Sequence, residues 1–444
     1  MPMNHTVRIS NLTYTDVSSH PGQKLANLLA QDLGFHDAAN GHGLHTLHAF
    51  PAKFPPQLPK LFIDELTQPG DLVLDPMMGS GTTVVEALLA GRSGIGFDID
   101  PLAIRLAKAK ITPLDPDIAR AAGYTIADRA QWTLDHKHSQ IEKDLSRRFE
   151  GRTREFIEYW FTPHTCLELI ALLREIERTP DSETRAFLTL AFSAIIITKS
   201  GGVSLARDLA HTRPHRVDDK IPRSAIVDYK KRVEKNSRSL VQLYAGHGKA
   251  FIQFGNAEGL PLADETIDLM VTSPPYASNA IDYMRAHKFS LVWFGHSLSE
   301  LSSLRSRYIG GETTSDFPFT NLPKHSAAIV QGVTRADRKK GLALHRYYSE
   351  ITRMLSEIKR VMKPGKAAII VVGSSTMRSI DTQTHICIGE IGKVLGLELI
   401  GIAPRRLDRD RRMMPARFGA QRMSQIEERM HEEQVIAFVK PLSL

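Results

Sequence analysis

At 444 residues, with 42% hydrophobic and 24% charged side chains, the chain has apolar content for two or three domains' worth of core and the composition of a soluble globular protein. Its two cysteines, Cys166 and Cys387, lie far apart with no CxxC spacing, which argues against a disulfide framework; His164 and His385, each two residues before a cysteine, make no zinc motif, and no metal is expected. The net charge of +8 is concentrated: residues 205–240 hold ten Lys and Arg against five Asp and Glu, and residues 404–422 hold seven arginines against two aspartates, stripes that suit a polyanion as well as they suit a solvated face.

Residues 1–45 show no strong period and read as a loosely ordered N-terminal lead-in. They open "MPMNHTVRISNLTYTD", without the apolar core of a signal peptide, and the longest apolar run of the chain, "FLTLAFSAIII" (187–197), is too short to span a bilayer. A cytoplasmic protein with no membrane partner is expected. In the next segment, 46–114, the prolines of "AKFPPQLPKLFIDELTQPG" lead into an amphipathic helix that stops near Pro69-Gly70. "DLVLDP" follows as a strand, "GSGTTVVEALLAG" as a glycine turn opening a helix closed by Gly91, "SGIGFDID" as a second strand and "PLAIRLAKAKI" as its helix. That alternation predicts an α/β protein with a parallel, doubly wound sheet. Residues 115–245 change to helical periods with polar joints and read as a helical insertion. Over 246–444 the alternation resumes, with "FIQFGNA", "IDLMVTSPPY", "VMKPGKAAIIVVGSS", "LELIGIAPRRL" and "EQVIAFVKP" as five more strands, so the sheet should have about seven.

Two short stretches carry chemistry. In "VLDPMMGSGTT" (73–83), Asp75 ends the first strand, and Gly79 and Gly81 let the backbone approach a ligand beside the unpaired N–H groups of a helix start. No lysine follows Gly81, which excludes a GxxxxGK[ST] phosphate loop, and Val84 stands where a dinucleotide fingerprint needs its third glycine. Asp98, at the end of the second strand, can chelate ribose hydroxyls. Such a trio suits a nucleoside with a cationic tail; S-adenosylmethionine fits, while NAD and a purely structural turn stay open. The second stretch is "TSPPY" (272–276). Neither Pro274 nor Pro275 has an N–H, so the strand ends in a stiff corner that presents the Ser273 hydroxyl, the Pro274 carbonyl and the Tyr276 ring.

Together, "FPAKFPPQLPKLFIDEL" (50–66), "LVLDPMMGSGTTVVEALLAGRSGIGFDIDPLA" (72–103) and "DLMVTSPPY" (268–276) resemble the amino-methylating DNA methyltransferases, which modify the exocyclic nitrogen of cytosine or adenine. The resemblance covers roughly residues 45–110 and 250–440, leaving the insertion unmatched, and the cofactor motif precedes the corner, unlike members in which the corner comes first. It implies a Rossmann-like S-adenosylmethionine-dependent methyltransferase fold and double-stranded DNA as substrate. Lys53, Phe54 and Pro55 would then contact the methionine end of the cofactor. Asp75, Pro76, Gly79, Gly81, Thr82, Asp98 and Ile99 would hold its carboxylate, sulfonium region and ribose, with Asn256 and Ala257 at the adenine. Ser273, Pro274, Pro275 and Tyr276 would form the catalytic corner, Tyr276 offering a face to an extruded base. Asp282 and Tyr283, just past it, are placed either to line the base pocket or, for Asp282, to cap a helix. The insertion becomes a candidate DNA-recognition region, with Arg213, Arg216 and Arg223 there, and Arg405, Arg406, Arg411 and Arg412 near the C-terminus, as candidate phosphate contacts.

In that family serine at the head of the corner goes mostly with cytosine N4, and aspartate or asparagine mostly with adenine N6. Ser273 therefore favours cytosine N4; adenine N6, an RNA amino group and a non-catalytic sensor of the cofactor are the alternatives. Cytosine C5 methylation needs a cysteine nucleophile after a proline, and neither "HTC" (164–166) nor "HIC" (385–387) supplies one. A companion restriction endonuclease is a further expectation.

Overall fold

The computed structural model describes residues 21–36, 43–51, 53–198, 202–207, 209, 214–245, 248–277, 282–373, 375–407 and 432–442. Its organising element is a seven-stranded sheet: β1 Leu72–Asp75, β2 Ser93–Asp98, β3 Lys249–Phe254, β4 Ile267–Thr272, β5 Met362–Gly373, β6 Glu398–Arg406 and β7 Glu432–Val439. They lie in the order β6-β7-β5-β4-β1-β2-β3, all neighbours pairing in parallel except for β7, which runs antiparallel to both β5 and β6. The seven runs expected from the sequence are these seven strands.

Alternation along the central strands divides the core into two faces. Leu74, Met270, Ile370 and Ile436 point to one side, where Tyr347, Ile351 and Leu355 of the helix Arg338–Val361 cover them. Val73, Leu269, Val271, Ile369 and Val435 point to the other, under Leu58 and Phe62 of the helix Gln57–Leu66. That second face explains a departure from expectation. Within the supposed loose lead-in, Pro21–Leu29 is a helix whose Leu25 and Leu28, with Leu33 beyond it, are buried against the same strands. An i, i+3 apolar pair on one short helix is too little pattern to stand out in sequence, but it suffices once a sheet face is there to cover.

Between β2 and β3 run the helices Pro101–Ile111, Pro116–His136, His138–Arg148, Gly151–Trp160, Pro163–Glu177, Ser182–Ile196 and Ala225–Ser239. Their starts carry local signals: Asp100, Asp115 and Thr162 accept hydrogen bonds from first-turn N–H groups, each with a proline just inside the helix. Asp181 and Ser224 cap two more. The insertion shares one apolar cluster with Val85, Leu88, Leu102 and Leu106 of the sheet layer and with Phe289 and Trp293, which follow the proline corner. Trp293 is fully buried, its ring 5.1 Å from Phe149, 5.4 Å from Phe161 and 6.3 Å from Phe192. Among the described residues no helix is long and apolar enough to cross a membrane.

If Trp293 joins insertion and sheet layer into one core, Trp293→Ala should cost about 3–5 kcal/mol in denaturant unfolding, with both parts melting together. A loss below about 1 kcal/mol would show that the two do not depend on this contact.

Candidate active site

Four strand ends meet at the carboxyl edge of the sheet, where ligands bind in doubly wound folds. At the end of β1, Asp75 accepts from the Thr272 hydroxyl on β4 at 2.7 Å and from Met77 N at 3.2 Å. The turn that follows is held by backbone hydrogen bonds from Met78 N to Phe97 O (2.9 Å) and from Gly81 N to Met78 O (2.7 Å). Buried Lys110 donates to Ser80 O at 2.6 Å, and burial beside Lys53 holds its amine well below the ordinary value. Gly79 and Gly81 take φ of +48° and +76°, and a Cβ on Gly81 would sit 2.9 Å from that of Ala107. Glycine at 81 is therefore needed for both backbone conformation and helix approach. The helix Thr82–Leu89 starts from it without a side-chain cap.

At the end of β2, Asp98 accepts from Gly79 N and from Asp100 N, both at 2.8 Å. A carboxylate has about four lone-pair sites, so about two remain for ligand hydroxyls. Burial, then the neighbouring Asp100, pushes the Asp98 carboxyl up to about 7; burial lifts Asp75 to about 6, against the Thr272 and Thr83 hydroxyls. Asp100 goes the other way. Burial raises it, but His287 and Tyr308, both 2.7 Å from its Oδ2, outweigh that and leave it below the ordinary value. At the end of β3, Gly255 N donates to Asp98 O at 3.1 Å, which brings Asn256 and Ala257 alongside. Thr83 on the turn's helix donates to Val271 O of β4 at 3.2 Å, so the glycine turn and the serine corner are tied at two points.

These ends enclose a pocket of about 860 Å³ of empty space, its open mouth included. Of the expected cofactor residues, Lys53, Phe54, Asp75, Pro76, Gly79, Thr82, Asp98, Ile99, Asn256 and Ala257 line it, as do Ser273 and Pro275 of the corner. Pro55, Gly81, Pro274 and Tyr276 do not line it. Lys53 donates to the carbonyl of His45. A second, more polar hollow of about 1220 Å³ adjoins the first and shares Pro275, Tyr283, Tyr308 and Ile309 with it. Its remaining wall includes Ser302, Arg305, Ser306, Thr313, Thr314 and Lys339.

Sequence reasoning missed Phe50, Met77, Met78, Asp100, Tyr308 and Ile309 as lining residues. Phe50, whose ring stands 5.4 Å from Tyr283 and 5.2 Å from His287, opens one of the quoted motifs and was within reach; Tyr308 and Ile309 follow the helix Leu298–Ser306 and carry no local signal. Asp282 precedes the helix Tyr283–Leu291 without capping it and pairs instead with Arg285 and Arg305. Tyr276 departs from expectation. It is buried, its ring lies against Gly373 and its hydroxyl donates to Glu433 at 2.6 Å, and the tyrosines that line the pocket with Ser273 are Tyr283 and Tyr308.

The arginines divide. Arg405 is 2% exposed, pairs with Glu433 and donates to Leu33 O, so as an interior residue it is withdrawn as a phosphate contact. Arg406 is 82% exposed and 3.9 Å from Glu432. Arg216 pairs with Asp218 and lies 4.5 Å over the Tyr159 ring, and Arg223 pairs with Asp228. Arg213, Arg411 and Arg412 lie outside the described residues.

The pocket fits S-adenosylmethionine: a glycine cradle with an uncapped helix start for a carboxylate, a free pair of acceptor sites on Asp98 for a ribose, and Ile99, Ala257 and Phe50 for an adenine ring. Comparison with known proteins agrees. A family model described as DNA methylase matches residues 11–109. The chain is 27% identical to Type II methyltransferase M.MvaI of Kocuria varians over 82% of this chain and 84% of that protein. It is 21% identical to Type II methyltransferase M.BsoBI of Geobacillus stearothermophilus over 76% of this chain and 75% of that protein. Over 60 residues, 14% of this chain and 17% of the relative, it is 50% identical to Type II methyltransferase M.BglI of Bacillus subtilis. A solved SAM-dependent methyltransferase from Methanosarcina mazei aligns over 86% of this chain and 98% of its own at 13% identity, with a TM-score of 0.30, too loose a match to add weight.

Hydroxyl donors need Asp98 ionised, and its carboxyl is raised to about 7. Affinity for S-adenosylmethionine should therefore climb as pH rises through about 7 and level off above it, by calorimetric titration. Asp98→Asn, losing a charged acceptor, should weaken binding about tenfold or more at pH 8 and flatten the profile. An unchanged affinity in that variant would remove Asp98 from the site.

Proposed function

The chain belongs to the S-adenosylmethionine-dependent amino-methylating DNA methyltransferases, and from that premise we propose that it methylates the exocyclic N4 of cytosine at a specific site in double-stranded DNA. The observation that carries this reading is that Ser273, heading the proline corner, shares a pocket wall with Asp98 and the glycine turn. The cofactor supplies an electrophilic methyl group on a sulfonium. The protein's part is to make a poor nucleophile competent, because the lone pair of an exocyclic amine is delocalised into its ring. Acceptors on both N–H bonds draw the nitrogen toward tetrahedral geometry and localise the pair. The Ser273 hydroxyl, on the pocket wall, is suited to that role. The family resemblance gives the second acceptor to the Pro274 carbonyl, whose residue is not one of those lining the pocket, and the two prolines keep both from reorganising as charge develops. Placing nitrogen and methyl in line supplies much of the remaining acceleration.

The polar hollow beyond Pro275 is where an extruded nucleotide would be received, with Tyr283 and Tyr308 as stacking faces in place of Tyr276. Ser273 is a neutral group that can accept and donate, compatible with the N3 and amino edge of cytosine. Adenine presents a similar edge, so the preference for cytosine rests on serine at this position in the family. Similarity to Type II methyltransferases over most of the chain supports a role as the modification partner of a restriction endonuclease.

Duplex DNA treated with the protein and S-adenosylmethionine, then digested to nucleosides, should contain N4-methylcytosine and no 5-methylcytosine. Ser273→Ala should lower turnover far more than cofactor affinity. N6-methyladenine alone would move the enzyme to adenine, and methyl groups found only in RNA would overturn the substrate class.

Among the described candidates, Arg223 and Arg406 are the most exposed and the ones on which phosphate contact is tested first. Changing both to glutamine should weaken binding to all duplexes alike and flatten the slope of log affinity against log salt by roughly one unit per lost contact. A slope equal to that of the parent protein would show them to be solvated ion pairs only.

A further inference from the structure

The tyrosine of the corner is fastened to a row of residues that crosses three strands. Gly373 on β5 stands in register with Glu433 on β7, and Glu433 in register with Arg405 on β6. Tyr276 lies on the bare backbone of Gly373: a Cβ there would be 2.8 Å from Cε2 of its ring. Its hydroxyl donates to Oε1 of Glu433 at 2.6 Å. The other carboxylate oxygen accepts from Arg405 Nη1, and Arg405 Nε donates to Leu33 O at 3.0 Å, beyond the N-terminal helix. Burial, with Glu433 alongside, holds the Tyr276 phenol well above its ordinary value, so it stays a donor. No atom of this row except those of Tyr276 belongs to the motif, and neither Glu433 nor Arg405 lines the pocket.

We propose that Glu433, backed by Arg405, is a positioning residue that sets the acceptors of the corner through Tyr276; this rests on the reading of Ser273–Tyr276 as the catalytic corner. Between Ser273 and Tyr276 stand only two prolines, whose φ angles are fixed. The segment therefore acts as a short stiff lever. Fixing the ring at one end fixes the Ser273 hydroxyl and the Pro274 carbonyl at the other. If Glu433 served only to neutralise buried Arg405, the hydrogen bond from Tyr276 would be incidental and its loss would leave the chemistry alone.

Tyr276→Phe separates the two roles, because it keeps the aromatic ring and leaves the Arg405–Glu433 pair intact. It should lower kcat about tenfold while leaving KM for both S-adenosylmethionine and duplex DNA within about twofold, since a misplaced acceptor impairs the transition state more than binding. Its thermal midpoint should fall only by the few degrees that one lost hydrogen bond costs, leaving the variant folded at the assay temperature. In Glu433→Gln an amide oxygen can still accept from the phenol, so this variant should lose less, and the double variant should lose no more than Tyr276→Phe alone. Wild-type kcat in Tyr276→Phe, or losses that multiply in the double variant, would overturn the proposal. Should Glu433→Gln fail to fold with Arg405 unpaired, Tyr276→Phe decides alone. Ser273→Ala measured beside them keeps the two ideas apart. A fall in its turnover with Tyr276→Phe unimpaired rejects only the role of Glu433, whereas normal turnover in Ser273→Ala rejects the corner itself.

Discussion

Everything at the site hangs on the pairing of β1 with β4. Val73 opposite Leu269 and Leu74 opposite Met270 set two strands side by side in the middle of the sheet, and the Thr272 hydroxyl closes their ends on Asp75 across 197 residues of sequence. With that register, the glycine turn after β1 and the proline corner after β4 leave the sheet at the same edge. A slip of β4 by one residue would turn Met270 to the opposite face from Leu74 and carry Ser273 away from the pocket. All six residues of β4 are buried, on both faces, so burial alone does not choose the register. Polar contacts at the two ends of the pair do, with the Thr272 hydroxyl on Asp75 at one end and Leu72 N donating to the Asp268 carboxylate at 3.1 Å at the other.

The electrostatics of the pocket follow from crowding three carboxyl groups at two strand ends. Asp100 is the one that stays ionised cheaply, because His287 and Tyr308 come down on it from the segment after the corner. Burial is the main cause that lifts Asp98, and the charge on Asp100 adds to it. A pocket so arranged is short of positive charge near Asp98. A ligand carrying a fixed cation and hydroxyl donors relieves both the repulsion and the unmet acceptor capacity, which a phosphorylated one would not.

Much of this was legible in sequence, for identifiable reasons. Buried strands such as "IDLMVT" are short, mostly apolar runs, and Gly79 and Gly81 announce themselves because a strand followed by a GxG turn marks left-handed backbone angles that glycine adopts without strain. Ten of the twelve residues assigned to the cofactor from sequence line the pocket, and apart from Lys53 and Phe54, ahead of the helix Gln57–Leu66, they sit at strand ends or in the turns just after them, where local pattern fixes position. What sequence could not show is what depends on register between distant strands. Arg405 belongs to an arginine-rich segment and looks like its neighbours, yet its place opposite Glu433 puts it inside. Tyr276 reads as a free aromatic face until Gly373, nearly a hundred residues on, is seen to give its ring a seat. Tyr308 reaches the pocket only because the fold brings a loop back to Asp100.

The long insertion has a consequence for how the chain comes into being. β1 and β2 are made early and can pair at once, but the strand that covers the other side of β1 is separated from it by the whole helical segment. At ordinary translation rates of about 5–20 residues per second, the 197 residues between Asp75 and Thr272 take roughly 10–40 s to synthesise. For that time β1, an interior strand of the finished sheet, has one bare edge and an apolar face that β4 and β5 will later share. The insertion emerges in the interval, and its helices pack on Val85, Leu88, Leu102 and Leu106, the outer side of the same early unit. Besides anything it does in the mature protein, it stands beside the nascent half-sheet while that half waits for its partner strands.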